Sequence, residues 1–245
     1  MISKNELKYI QSFAHKKHWA EESVFIVEGP KLMEELLETD WEIERVYAVR
    51  EWADQFDRQI PNLVLVEAHE LDRMSLFQQA NQVIALVKKK QYKVPLQYDG
   101  KLTVVLDGIQ DPGNLGTIIR TVDWFGGSQI IVSEDTAGLY NPKVIQSTMG
   151  SFLRVRVEVV KDISTTLKNQ QIPVYGALLN GSSIYTTKFS KEGFLIIGNE
   201  SKGIRESLIP QINRAISIPR FGKAESLNAA VATGIILSHW KGSKN

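Results

Sequence analysis

Val104-Val105-Leu106-Asp107 runs into Asp111-Pro112-Gly113-Asn114-Leu115-Gly116, with Arg120 four residues further on. An apolar strand-like run stops at a glycine-containing loop, and a helical pattern follows. The same stop recurs twice downstream. Phe194-Leu195-Ile196-Ile197 ends at Gly198-Asn199-Glu200-Ser201-Lys202-Gly203, and Ile218-Pro219 leads to Ser226-Leu227-Asn228 and another helical pattern. Ligands of open α/β sheets collect at the carboxyl ends of strands. Three such loops in one region therefore point to one composite site.

Around these loops the alternation is regular. Thr103–Asp107, Gln129–Ser133, Val155–Val159, Val174–Leu178, Phe194–Ile197 and Ala215–Ile218 read as strands, with helical stretches between most of them and a last helix over Leu227–Trp240. Short apolar runs alternating with helices predict an α/β fold with a parallel sheet covered on both faces. Upstream, the pattern predicts a helix over Asn5–His18, strands at Val24–Val27, Val46–Val49, Leu63–Val66 and Val83–Val87, and a helix over Lys31–Glu38. The basic, proline-ended stretch Lys88–Pro95 reads as a connection between two domains. The expected division is a small α/β domain over residues 1–92, a linker over 93–100 and a second domain over 101–245.

Composition narrows the chemistry. The 245 residues contain no cysteine, which excludes disulfides, thiolate metal sites and cysteine nucleophiles. No run of eighteen apolar residues and no signal-like start at Met1-Ile2-Ser3-Lys4 is present, so a cytoplasmic protein without a membrane partner is expected. The net charge of +1 is unevenly spread: residues 1–95 hold 13 Lys/Arg against 16 Asp/Glu, the remainder 16 against 12. Local patches matter more than this total for RNA, whose affinity rests on neutralising phosphates. His15-Lys16-Lys17-His18, Lys88-Lys89-Lys90 with Lys93, and Arg154 with Arg156 are candidates, though each taken singly reads more readily as a solvated surface or a linker. The four histidines show no metal-ligand spacing.

In the first loop, Asn114 is a candidate cap for a helix starting near Leu115, and Arg120 is placed to meet phosphate or developing negative charge. A helix cap plus a surface arginine reads equally well. Gly198 to Gly203 has P-loop glycine spacing, but Ile204-Arg205 replaces the required Lys-Ser/Thr, and no Gly-x-Gly-x-x-Gly is present in either loop. Nucleotide triphosphates and dinucleotides thus lose their usual support. Glu200 reads as a functional carboxylate or, with slight preference, as a brace accepting backbone N–H bonds within its own loop. Ser226 reads as the N-cap of the last helix, with Asn228 in its first turn.

Together and in this order, these motifs resemble the SpoU/TrmH group of SPOUT RNA ribose methyltransferases over essentially all of residues 101–240. Ile2-Ser3-Lys4-Asn5 through Val24-Phe25-Ile26-Val27-Glu28-Gly29 resembles the substrate-binding domain that often precedes the catalytic one, itself similar to RNA-binding ribosomal proteins. The resemblance implies a deep trefoil knot, a homodimer through the knotted domain, and S-adenosylmethionine bound at Leu178, Gly198, Ile218 and Leu227. It implies methyl transfer to a ribose 2′-hydroxyl, without metal. Arg120 would activate that hydroxyl and contact RNA, Asn114, Ser226 and Asn228 would orient ribose and phosphate, and Glu200 would brace the second loop. Lys16 and Lys17 would be further RNA contacts, while Gln146 stands where the family often has arginine. Ribosomal RNA is the expected substrate, because transfer-RNA members often carry only short terminal extensions. Transfer-RNA methylation and a non-catalytic RNA-binding scaffold are the alternatives.

Overall fold

The computed structural model describes residues 2–57, 59–168 and 170–242; the ends of the expected domains at Met1 and Ser243–Asn245 lie outside the described residues. The chain forms two compact units, Met1–Lys93 with Gly138–Leu153 and Val94–Ala137 with Arg154–Asn245.

The first unit opens with α1 (Lys4–Ser12) and α2 (Lys16–Glu21), where a single helix to His18 was expected. The break has a local cause. Phe13, Ala14 and His15 each donate to the carbonyl three residues back, and the Ser12 hydroxyl donates to the Tyr9 carbonyl. This tightened turn leaves the Phe13 ring fully buried. There follow β1 (Val24–Glu28), α3 (Pro30–Leu37), β2 (Ile43–Ala48), α4 (Arg50–Ala53), β3 (Leu63–Leu65), α5 (Ala68–Met74) and β4 (Val83–Lys88). The strands form a sheet in the order β1-β4-β2-β3, antiparallel except for β2 with β3. Its core holds Ile10, Phe25, Met33, Leu36 and Trp52, joined by Phe152 from the returning segment.

The basic run at the end of this unit, one of the candidate RNA-binding patches, is bonded internally. Lys88 pairs with Glu42 at 2.5 Å and Lys90 with Asp40 at 2.6 Å. Lys89 Nζ donates to the carbonyls of Trp19 and Ala20 and lies over the Tyr140 ring. Burial of that ammonium holds its pKa below the ordinary lysine value. All three cations are committed within their own unit. Arg154 and Arg156 are likewise paired, with Asp123 and Glu158 in the second unit.

The second unit is built from β5 (Leu102–Asp107), α6 (Pro112–Trp124) and β6 (Gln129–Ser133). The chain then contributes α7 (Pro142–Thr148), which carries Gln146, to the first unit. It continues through β7 (Arg156–Val160), α8 (Ile163–Lys168), β8 (Val174–Ser183), β9 (Gly193–Gly198), β10 (Arg214–Ser217) and α9 (Ala229–Gly242). Six strands pair in the order β10-β8-β9-β5-β6-β7, every pair parallel. Every residue of β5 and β6 is buried, as a strand covered on both faces requires. From β5 the chain runs outward to β6 and β7, then returns to the other side of β5. The switch between β5 and β9 opens a crevice at their carboxyl ends.

β8 is five residues longer than its apolar run predicts. Its register with β10 jumps between Gly176 and Ser182, so Ile216 and Ser217 pair with a second, polar half of the strand. The residues between, including Leu178 and Leu179, are left to line a cavity.

Candidate active site

Asp111, not Asn114, caps α6. Its side chain accepts the Asn114 N–H at 2.7 Å, and Pro112 occupies the first turn, where its missing N–H costs nothing. The helix therefore begins three residues earlier than expected. The Asn114 side chain, freed from capping, reaches out of the first turn. Its Nδ2 donates to Glu200 Oε1 at 2.8 Å, and its Oδ1 accepts from Asn228 Nδ2 at 2.9 Å.

Asn228, not Ser226, caps α9. Its Oδ1 accepts from the N–H groups of Ala230 at 2.9 Å and Val231 at 3.3 Å, and the helix starts at Ala229. Ser226 lies two residues too early to reach those donors; it is exposed and lines the cavity instead. Replacing Asn228 by alanine is expected to cost about 1 kcal/mol from the lost cap. Chemical denaturation measures it, and Ser226→Ala is the matched substitution that leaves stability within about 0.5 kcal/mol.

Among the described residues, Glu200 does not brace its own loop by accepting backbone N–H bonds. That work falls to Asn199, whose Oδ1 accepts from Ser201 and Lys202 and whose Nδ2 donates to the Gly108 carbonyl at 2.7 Å. Glu200 is exposed and reaches across to Asn114. Asn199 stands beside Glu200 in the motif, and its place there was the sequence signal for this role.

The chain Glu200–Asn114–Asn228–α9 has a fixed direction. Backbone N–H groups can only donate, so Asn228 must present its oxygen to α9 and its nitrogen to Asn114. An ionised Glu200 can only accept, so Asn114 must turn its nitrogen that way. Each amide nitrogen retains a second N–H that this chain does not use. The arrangement thus presents donors suited to phosphate or ribose oxygens at the meeting point of three loops.

Beside it lies a cavity of ≈ 820 Å³. Leu178, Gly198, Ile218 and Leu227 all line it, as do Glu200 and Ser226. Its apolar wall comes from Leu178, Ile197, Ile218 and Leu227, and its polar lining includes the carboxylates of Glu200 and Glu225 and the cations of Lys202 and Arg220. Arg120 sits on the exposed face of α6 and makes no hydrogen bond or ion pair among the described residues. Lys16 and Lys17 are exposed on α2 in the other unit. No group of three or more potential metal-ligating side chains occurs among the described residues.

Residues 101–238 match the SpoU rRNA methylase family. The chain belongs to that family. RNA methylation is thereby its activity class, and its first unit carries the sequence of an MRM3-like substrate-binding domain over residues 4–85. Among relatives of this SpoU methylase, the 23S rRNA (guanosine(2553)-2′-O)-methyltransferase RlmP of Bacillus subtilis is 28% identical, spanning 93% of this chain and 92% of that protein. A protein of Porphyromonas gingivalis assigned to the TrmH family of RNA methyltransferases superposes with a TM-score of 0.89 at 33% identity, covering 98% of both chains. An AdoMet-bound rRNA methyltransferase from Sinorhizobium meliloti superposes with a TM-score of 0.86 at 28% identity, covering 99% of this chain and 97% of that one. Both superpositions run through both units, so the SPOUT fold expected from the motifs, with its preceding domain, is the fold of this SpoU methylase.

Proposed function

We propose that the chain transfers the methyl group of S-adenosylmethionine to a ribose 2′-hydroxyl of RNA, with ribosomal RNA as substrate. The observation that carries this reading is the directed chain Glu200–Asn114–Asn228 at the edge of the cavity. The cavity volume of ≈ 820 Å³ suits a nucleoside-sized ligand, since small-molecule sites occupy roughly 300–1,000 Å³. Leu178, Ile218 and Leu227 offer an adenine apolar surface, the backbone at Gly198 can approach closely, and the Glu200 carboxylate complements a sulfonium. When bound, S-adenosylmethionine supplies an electrophilic methyl group. The residues have to hold and activate a weakly acidic hydroxyl.

Arginine is effectively never deprotonated, so Arg120 acts by charge: it binds the phosphate beside the target ribose and stabilises the incipient alkoxide. The spare N–H groups of Asn114 and Asn228, with the Ser226 hydroxyl, orient ribose and phosphate. Glu200 sets the direction of both amides. Lys16 and Lys17 on the substrate-binding unit contact the RNA backbone, adding affinity that salt weakens.

Further features support the rest of the reading. A Cβ at Gly181 would lie 2.4 Å from the Ile216 carbonyl carbon, so β8 and β10 pack closely there, and the deep trefoil knot belongs to the same reading. Leu179, Phe221 and Trp124 are more than four-fifths exposed, apolar surface that pairing of two copies through this unit would cover. The Bacillus subtilis relative is named for 23S rRNA, which favours ribosomal over transfer RNA. No helix among the described residues is long and apolar enough to cross a membrane, and a cytoplasmic location belongs to the same reading.

The test is transfer of labelled methyl from S-adenosylmethionine to separate ribosomal- and transfer-RNA pools, with nuclease digestion to identify the product nucleotide. A 2′-O-methylated nucleotide from the ribosomal pool is expected. Label only in transfer RNA would overturn the substrate, label on a base would overturn the acceptor, and no cofactor binding would leave a non-catalytic scaffold.

A further inference from the structure

One charged cluster, half-exposed except for a buried aspartate, stands apart from the residues of the site described above. Asp107 ends β5 with its side chain fully buried. The Arg205 N–H donates to Asp107 Oδ2 at 2.8 Å, and Arg205 Nε lies 3.2 Å from Oδ1 without a well-aligned hydrogen bond. The same guanidinium donates through Nη2 to both carboxylate oxygens of Asp135, just beyond β6. Asp135 in turn accepts from the Ser133 hydroxyl at 2.7 Å, and that oxygen accepts the Gly108 N–H at 2.9 Å. Burial pushes the Asp135 carboxyl up, but the bonds from Ser133 and Arg205 outweigh it and leave its pKa below the usual aspartate value.

These contacts close around one loop. At its start, Asn199 is bonded to Gly108 and pairs backbone to backbone with Gly203, at 3.1 and 2.9 Å. At its end, Arg205 is tied to the ends of β5 and β6. Glu200 lies between the two anchors, exposed, and its position is set by a loop held at both ends.

We propose that Arg205 is a positioning residue for methyl transfer, clamping the 199–205 loop to the ends of β5 and β6 so that Glu200 meets Asn114. The inference rests on the methyltransferase reading for its functional half only. A guanidinium is suited to the task because Nε and Nη2 engage two carboxylates at once in a rigid fork, which a lysine ammonium cannot reproduce. Removing the cation outright would leave Asp107 buried and uncompensated. Arg205→Lys, which retains the charge, is therefore the informative variant.

The experiment compares wild type, Arg205→Lys, Glu200→Ala and the double variant. It reads kcat at saturating RNA and S-adenosylmethionine, the cofactor Kd, and hydrogen exchange at the Ser201 and Lys202 amides. Misplacement of a catalytic contact by about 1 Å costs on the order of 100-fold. Arg205→Lys is expected to lower kcat at least tenfold with the cofactor Kd within threefold, and to speed exchange at both amides about tenfold. In the Glu200→Ala background the same substitution should lower kcat less than threefold, because the contact it positions is already gone. Unchanged kcat, or an equal loss in both backgrounds, would overturn the proposal, as would a defect confined to cofactor Kd. If the wild type transfers no methyl group, the functional reading fails, and the exchange measurement still decides the clamp: unaltered exchange refutes it.

Discussion

Replacing Arg120 by alanine is expected to lower methyl transfer by about 10²- to 10³-fold, the cost of removing one preorganised donor aimed at a developing oxyanion. The loss should fall on kcat at saturating RNA, with a smaller rise in KM from the missing phosphate contact. Cofactor affinity should stay within about twofold. Stability should hardly change, since Arg120 is exposed, makes no hydrogen bond or ion pair among the described residues, and alanine is at least as good a helix former. Arg120→Lys separates charge from geometry. A planar fork that grips phosphate and alkoxide together cannot be replaced by a point charge, so the lysine variant should recover less than a tenth of wild-type turnover. Near-native turnover in it would refute the requirement for a guanidinium. Steady-state kinetics with labelled S-adenosylmethionine, beside a thermal melt of each variant, supplies the measurement.

Gly198→Ala should act on the other half of the reaction. A Cβ at this position would lie 2.3 Å from both Gly203 C and Ile204 N. Those are backbone atoms, held by the Asn199–Gly203 bridge and by the Arg205 anchor, so no rotamer change relieves the clash. The loop must move, and with it one wall of the cavity. Overpacking of this kind costs about 1–3 kcal/mol of stability, and cofactor affinity should fall more than tenfold. Gly242→Ala is the control, because a Cβ there meets nothing within 4 Å. Calorimetric titration of S-adenosylmethionine into folded protein checks the first effect and denaturant unfolding the second. Retained affinity in Gly198→Ala would show that this loop does not shape the cofactor site.

Much of this architecture was legible along the chain. All six strands of the parallel sheet stand at the apolar runs Thr103–Asp107 to Ala215–Ile218 that predicted them; the central β5, β6 and β9 are almost continuously apolar because both faces are covered, while the edge strands β7 and β10 are partly exposed. The motif order Asn114, Glu200, Asn228 sufficed to recognise the family, and the residues expected to hold the cofactor line one cavity. Helix ends were less legible. Asp111 and Asn114 are both good caps by composition, as are Ser226 and Asn228, and local preference cannot choose between neighbours of equal propensity. The second half of β8 escaped notice because Asn180-Gly181-Ser182-Ser183 has no apolar signal; it is a strand only because β10 comes to lie beside it.

What the sequence by itself determined was the succession of strands and loops and the chemical types gathered at their ends. Those follow from hydrophobic spacing and turn residues, which are local properties. Only the tertiary structure decided which amide faces which carboxylate. Asn114 meets Glu200 across 86 residues and Asn228 across 114, while Arg205 finds Asp107 across 98. A polar side chain takes its direction from the partner it meets, and that partner is supplied by the crossing of the sheet rather than by any neighbour in sequence.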